Sequence, residues 1–260
     1  MNFGLNKRQK IIIASVLLTF GLLSTQLVDF NLRFKFLAGL ALLAYFVSLW
    51  ALWEGISLLK AIVLLILPTL FTLGLASFYF LLPVRWLTRL PVAFLFGLSF
   101  YLLLLSQNVF NVASIRTIPL YRAASTAAFL FTLITAFFLF NVIHAFHLLF
   151  IWNFLLVFIV SFILILQIFW SIEMKEKLDT TILVQSFILS LCLGEISLAL
   201  SFWPMVTTMW SLTIASSMYV FAGLSIHILR DRISRRVVWE YLTIGTFVFL
   251  VAFLTTSWGG

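Results

Sequence analysis

Charge is scarce in this sequence. Asp, Glu, Lys and Arg together make up 9% of the 260 residues, against about a quarter in a soluble globular domain, and that shortage excludes a soluble fold. Acids are the rarer half, with eight Asp and Glu against sixteen Lys and Arg. The single cysteine, Cys192, excludes an internal disulfide and a cysteine-based metal site. No Asn-x-Ser/Thr sequon occurs. There is no Gly-x-Ser-x-Gly, no His-Glu-x-x-His and no P-loop, so the common hydrolase, zinc-protease and nucleotide signatures are missing. The three histidines all fall at the ends of apolar runs, which leaves no Ser/His/acid trio to assemble.

What the chain has instead is apolar length. Hydrophobic residues make up 64% and mean hydropathy is +1.21. A helix rising 1.5 Å per residue needs about 20 apolar residues to cross a hydrocarbon core, and the sequence divides into nine such runs. They cover 11–28, 36–53, 61–82, 91–112, 123–142, 150–170, 181–203, 205–229 and 237–258. The first follows Lys7, Arg8 and Lys10 and reads as a retained signal-anchor helix, since no small-x-small cleavage site follows it. Pro68 inside the third is expected to kink it, with Thr69 or Thr72 satisfying the freed carbonyl. Pro204 makes a tight hairpin between the seventh and eighth. The expected fold is therefore all-α, a single nine-helix polytopic transmembrane bundle.

Loop charge orients it. With the N-terminus inside, twelve Lys and Arg fall on the inner side and four on the outer. By the positive-inside rule this places the N-terminus in the cytoplasm and the C-terminus outside. Trp50, Trp53, Trp86, Trp152, Trp170, Trp203, Trp210, Trp239 and Trp258 all fall near span ends, as interfacial tryptophans do. The net charge of +8 is spread over short loops, which argues against nucleic-acid binding and for contact with anionic lipid. Arg230, Arg232, Arg235 and Arg236 form the most basic loop, and anionic headgroups are its expected partners. No loop is long enough for a soluble domain, and there is no convincing internal repeat.

The seventh run holds the one acid deep in apolar sequence, Glu195. A stripe of Ser186, Ser190, Gly194, Ser197 and Ser201 lies on a different side of this helix and reads as a close-packing face. Thr208, Ser211, Ala215, Ala222 and Ser225 form a matching small face on the eighth span, suited to pack on that stripe. An ionised carboxylate at the depth of Glu195 costs several kcal/mol unless paired, hydrated or protonated. It is therefore expected to face the bundle interior or a water-filled cavity, with Gln185 and Cys192 nearer its side. It serves there either as a proton- or cation-binding group or as a hydrogen-bonded tie between helices.

Other polar groups carry weaker signals. Gln107, Asn108 and Asn111, followed by Arg116 and Arg122, form the densest polar cluster at the inner face. They could hold an anionic headgroup or phosphate, or serve as a helix cap with orientation charges. Glu173, Glu176 and Asp179 share a helical face suited to Mg²⁺ and a diphosphate, but Lys175 and Lys177 interrupt them and no second acidic motif exists. His144 and His147 share spacing for a metal but have no third ligand. No metal site and no cofactor is expected.

Three segments resemble an uncharacterised family of bacterial multi-span membrane proteins: Leu67-Pro68-Thr69-Leu70-Phe71-Thr72-Leu73-Gly74, Asn108 to Ile118 (NVFNVASIRTI) and Arg122-Ala123-Ala124. The resemblance covers the middle of the chain. It implies a bacterial inner-membrane location and brings no activity or functional residue. Three functions stay open: transport or ligand binding in a cavity containing Glu195, a structural or assembly subunit of a membrane complex, and an enzyme acting on a lipid-linked substrate at the cytoplasmic face.

Overall fold

A computed structural model describes residues 6–25, 32–54, 56–82, 86–113, 119–174 and 179–256. Among them nine α-helices and no strands occur. The helices are α1 Lys7–Ser24, α2 Arg33–Leu52, α3 Leu58–Leu81, α4 Trp86–Ala113, α5 Tyr121–Ala145, α6 Phe150–Glu173, α7 Thr180–Leu200, α8 Thr207–Leu229 and α9 Arg235–Thr255. Eight of these, α2 to α9, are long and apolar enough to cross a membrane. Helix α1 has 18 residues, three of which are Lys7, Arg8 and Lys10, so its apolar part is only the stretch from Ile11 onward. The rest of the expected first run, 26–28, lies outside the described residues.

The chain divides into two compact units, Met1–Thr135 with Met174–Lys177, and Ala136–Glu173 with Leu178–Gly260. In the first unit α1 packs on α2 and α4, and α3 on α2 and α4. Its core is aromatic: Phe71 stacks on Phe96 with ring centroids 5.8 Å apart and meets Phe131 of α5 edge-on at 5.9 Å. Glycine admits close approach at one seam, where a Cβ on Gly97 would collide with the Thr19 hydroxyl. Helix α3 runs unbroken through Pro68. The expected repair of its lost hydrogen bond differs in detail: Thr69 donates to the Leu65 carbonyl at 2.7 Å and Thr72 to that of Pro68 at 2.8 Å. Each hydroxyl bonds one turn back from itself, and the carbonyl left without its amide partner, four residues before Pro68, belongs to Leu64.

In the second unit α6 pairs closely with α7, and α8 with α9. The serine stripe of α7 is a packing face as expected, but its partner is α6 and not α8. Ser186, Ser190 and Ser197 are fully buried. Asn153 of α6 donates to the Ser201 hydroxyl at 3.0 Å. A Cβ on Gly194 would stand 3.0 Å from the Phe154 ring and 3.3 Å from the Phe154 carbonyl. The physical reason is volume: the large side chain of Phe154 on α6 needs a partner that gives way, and Gly194 of α7 supplies it. The small face of α8 divides its contacts. Asn141 of α5 donates to Ser211 at 3.2 Å, a Cβ on Gly223 would overlap the Tyr241 ring of α9, and Thr208 is exposed. Between α7 and α8 the chain reverses through Pro204, with the Met205 amide donating to the Trp203 carbonyl at 2.7 Å.

The described tryptophans do not share one environment, and Trp203 is half-buried. Trp50, Trp53, Trp152 and Trp239 are exposed near helix ends, whereas Trp170 and Trp210 are buried. Trp210 instead stacks on His144, with ring centroids 4.5 Å apart.

Candidate functional site

Helix α7 begins where Asp179 accepts a hydrogen bond from the Thr181 amide, a standard N-cap. From there the wheel fixes what each side meets. Ile182, Ser186, Ser190, Leu193, Gly194 and Ser197 turn inward. Thr181, Val184, Phe187, Ile188, Glu195 and Ala199 are exposed. Glu195 thus departs from the interior placement its depth implied. It sits on the outer side of α7, about 8 Å from the helix's C-terminal end, and makes no hydrogen bond or ion pair to any described residue. The interior placement holds only where a chain shelters its own carboxylate. Here the close fit of Gly194 and the serines to α6 determines the rotation of the helix, and the position of Glu195 follows from that.

Gln185 lies on a neighbouring side. With Ile188, Leu189, Ser225, Ile228 and Leu229 it lines a small cavity of about 140 Å³ between α7 and α8. Its Oε1 is buried without a hydrogen-bond donor.

Gln107, Asn108 and Asn111 belong to the first unit, at the end where α1 starts, α2 ends, α3 starts and α4 ends. Asn111 is buried and donates to the carbonyls of Leu52 at 3.4 Å and Glu54 at 3.0 Å, tying the end of α4 to the end of α2. Gln107 is fully buried with both amide atoms unpartnered, and Asn108 Oδ1 is buried likewise. Arg122 is exposed in the first turn of α5, and Arg116 lies outside the described residues.

No sequence pattern singles out Glu54 at this end, since its partners are 44 and 47 residues away. Lys10 donates to its carboxylate at 3.1 Å and Lys7 approaches to 3.8 Å. The Lys10 hydrogen bond, helped by the charges of both lysines, holds the Glu54 carboxyl below the usual carboxylate range. Arg8 donates to the Tyr101 hydroxyl at 3.4 Å. Arg89, at the opposite end of this unit, likewise carries no sequence signal beyond its loop charge. It is 5% exposed, donates to the Leu82 carbonyl at 3.4 Å and lies over the Tyr79 ring, while its Nε has no acceptor among the described residues.

The remaining candidates do not converge. His144 Nδ1 is 3.3 Å from the Thr207 hydroxyl, and His147 sits at a turn with φ 49°. Among the described residues no three His, Cys, Asp or Glu gather as a metal site. Glu176, Lys175 and Lys177 lie outside the described residues. In the basic loop Ser234 caps α9 through the Val237 amide at 3.4 Å. Arg232, Arg235 and Arg236 are exposed, and Arg236 pairs with Glu240 at 3.3 Å.

Residues 13–255 match the family described as Protein of unknown function (DUF5656). The chain belongs to that family. Curated proteins and solved structures yield no match. Membership in DUF5656 covers nearly all of the chain, agrees with a family of unknown function, and assigns no chemistry to any residue.

Proposed function

We propose that this protein is a subunit that works by lateral association within a membrane, and that the outer face of α7 around Glu195 receives a helix of a partner protein. One observation carries the reading: an exposed carboxylate inside an apolar span with no partner among the described residues. Such a group is costly in hydrocarbon and is satisfied by a cation or a hydrogen-bond donor brought to it. Val184, Phe187 and Ile188 lie on the same exposed side and offer apolar contact around it. The complementary partner is a transmembrane helix bearing Lys, Arg or an amide at matching depth. The membrane is proposed to be the bacterial inner membrane.

The test is a photo-reactive residue at Ile188 in cells. Wild type should give a discrete protein adduct, which Glu195→Gln weakens and Glu195→Leu abolishes. If the Leu variant keeps the same adduct, or wild type gives lipid adducts alone, the reading fails.

A second reading, binding or transport of a small ligand, is favoured by the cavity beside Gln185. There the unsatisfied Oε1 offers an acceptor to a small donor. Glu195 is not among the residues lining that cavity, so this reading rests on Gln185 and Ser225.

A further inference from the structure

The outer surface of the first unit carries an apolar groove between α1 and α4. Its lining is Ile12, Ser15, Val16, Thr19, Phe20, Phe94, Gly97, Leu98 and Tyr101, around a volume of about 350 Å³. The two polar residues of α1 in it are internally satisfied: Ser15 donates to the Ile11 carbonyl at 2.9 Å and Thr19 to that of Ser15 at 2.7 Å. The groove therefore presents no unmet hydrogen-bonding group along most of its length. From Ile12 to Phe20 it follows α1 for about 12 Å. Gly97 deepens it where α4 comes closest to Thr19.

The two ends of the groove differ. Phe20 and Phe94 close one end. At the other, Tyr101 meets Arg8, which is exposed and holds the tyrosine hydroxyl at 3.4 Å. Lys7 and Lys10 stand at this same end of the unit, against the carboxylate of Glu54. An apolar slot leading to an excess of cations is complementary to a molecule with an alkyl tail and an anionic head.

We propose that this groove holds one acyl chain of an anionic phospholipid, with the phosphate against Arg8. Apolar burial along the groove supplies affinity and the cationic mouth selects the headgroup. The groove shares no residue with the Glu195 face or with the basic loop before α9.

The full chain, purified in detergent, would be titrated with phosphatidylglycerol or phosphatidylcholine while its unfolding midpoint is followed. Lipid retention would be counted by native mass spectrometry. Phosphatidylglycerol should raise the midpoint by about 3 °C more than phosphatidylcholine, the scale expected of a ligand well above its Kd. Arg8→Gln should erase that difference and lower phosphatidylglycerol affinity about tenfold. Leu98→Trp, a substitution at a half-exposed position on the groove wall, should reduce retention of both lipids. Should it fold poorly, Val16→Trp fills the groove from α1. Glycerol phosphate, a headgroup without a chain, should shift nothing. The proposal is overturned if Arg8→Gln keeps the preference, if the filled groove retains lipid as before, or if glycerol phosphate reproduces the shift.

Discussion

Glu54 is the residue whose role depends most directly on solution conditions. Its carboxyl is held down by Lys10 and Lys7, so its folded value lies below its unfolded one. Its contribution is fully present above the unfolded value, near 4.5, and is lost as pH falls through the lower folded value. The pair is exposed, with 59% of the Glu54 side chain accessible, and an exposed pair contributes at most about 1 kcal/mol. Glu54→Gln should therefore lower the unfolding midpoint slightly at pH 7, with the gap to wild type closing below about pH 4. Thermal scans of both proteins across pH 3–8 check the sign. A gap that widens in acid would mean the lysines do not hold this carboxylate. Gly194 offers a steeper effect at the same scale. A side chain there meets both the ring and the backbone of Phe154, so Gly194→Leu should overpack the α6–α7 seam and cost about 1–3 kcal/mol. Ser190→Ala, on the same stripe, should be much milder.

At the scale of the element, the sequence revealed helices readily and their rotations poorly. Hydropathy alone located every helix among the described residues to within a few residues. The serine stripe of α7 was legible as a packing face because small residues at helical spacing have few other uses. Which helix it faced was not legible. Both α6 and α8 are sequence neighbours of α7, and the choice depends on Phe154 finding room. Glu195 was misplaced for the same reason. Burial of a carboxylate is one contribution to the rotation of α7, and the fit of Gly194, Ser186, Ser190 and Ser197 against α6 outweighs it in this chain. Asn153 gives a direct check on this pairing. Asn153→Ala removes the bond to Ser201 and should destabilise by about 1 kcal/mol. Ser201→Ala should cost little more when added to it. Additive losses in that double-mutant cycle would show that the two groups are not coupled.

At the scale of the whole molecule, the number of crossings turns on α1. Helices α2 to α9 each satisfy the length and hydropathy of a span. Helix α1 is the marginal case, because Lys7, Arg8 and Lys10 occupy its first turn. Two features bear on it. Its lysines meet Glu54, at the end of α2, and its far end lies along Gly97 and Phe94 of α4. The helix thus runs the length of its neighbours and does not lie across one end of them. Three cations at one end and none among the rest of α1 also suit a helix anchored by its charged end. If α1 crosses, the number of spans is odd and the termini lie on opposite sides. If it does not, eight spans return the C-terminus to the side of the N-terminus. Fusing alkaline phosphatase after Gly260, and separately a fluorescent protein that matures only in the cytoplasm, distinguishes the two. The nine-span arrangement, with the basic loops inside, requires an active phosphatase and a dark fluorescent fusion at the C-terminus. A second fluorescent fusion, placed before Met1, must be bright. A bright C-terminal fusion alongside a bright N-terminal one would remove α1 from the count and make it a helix lying within one leaflet.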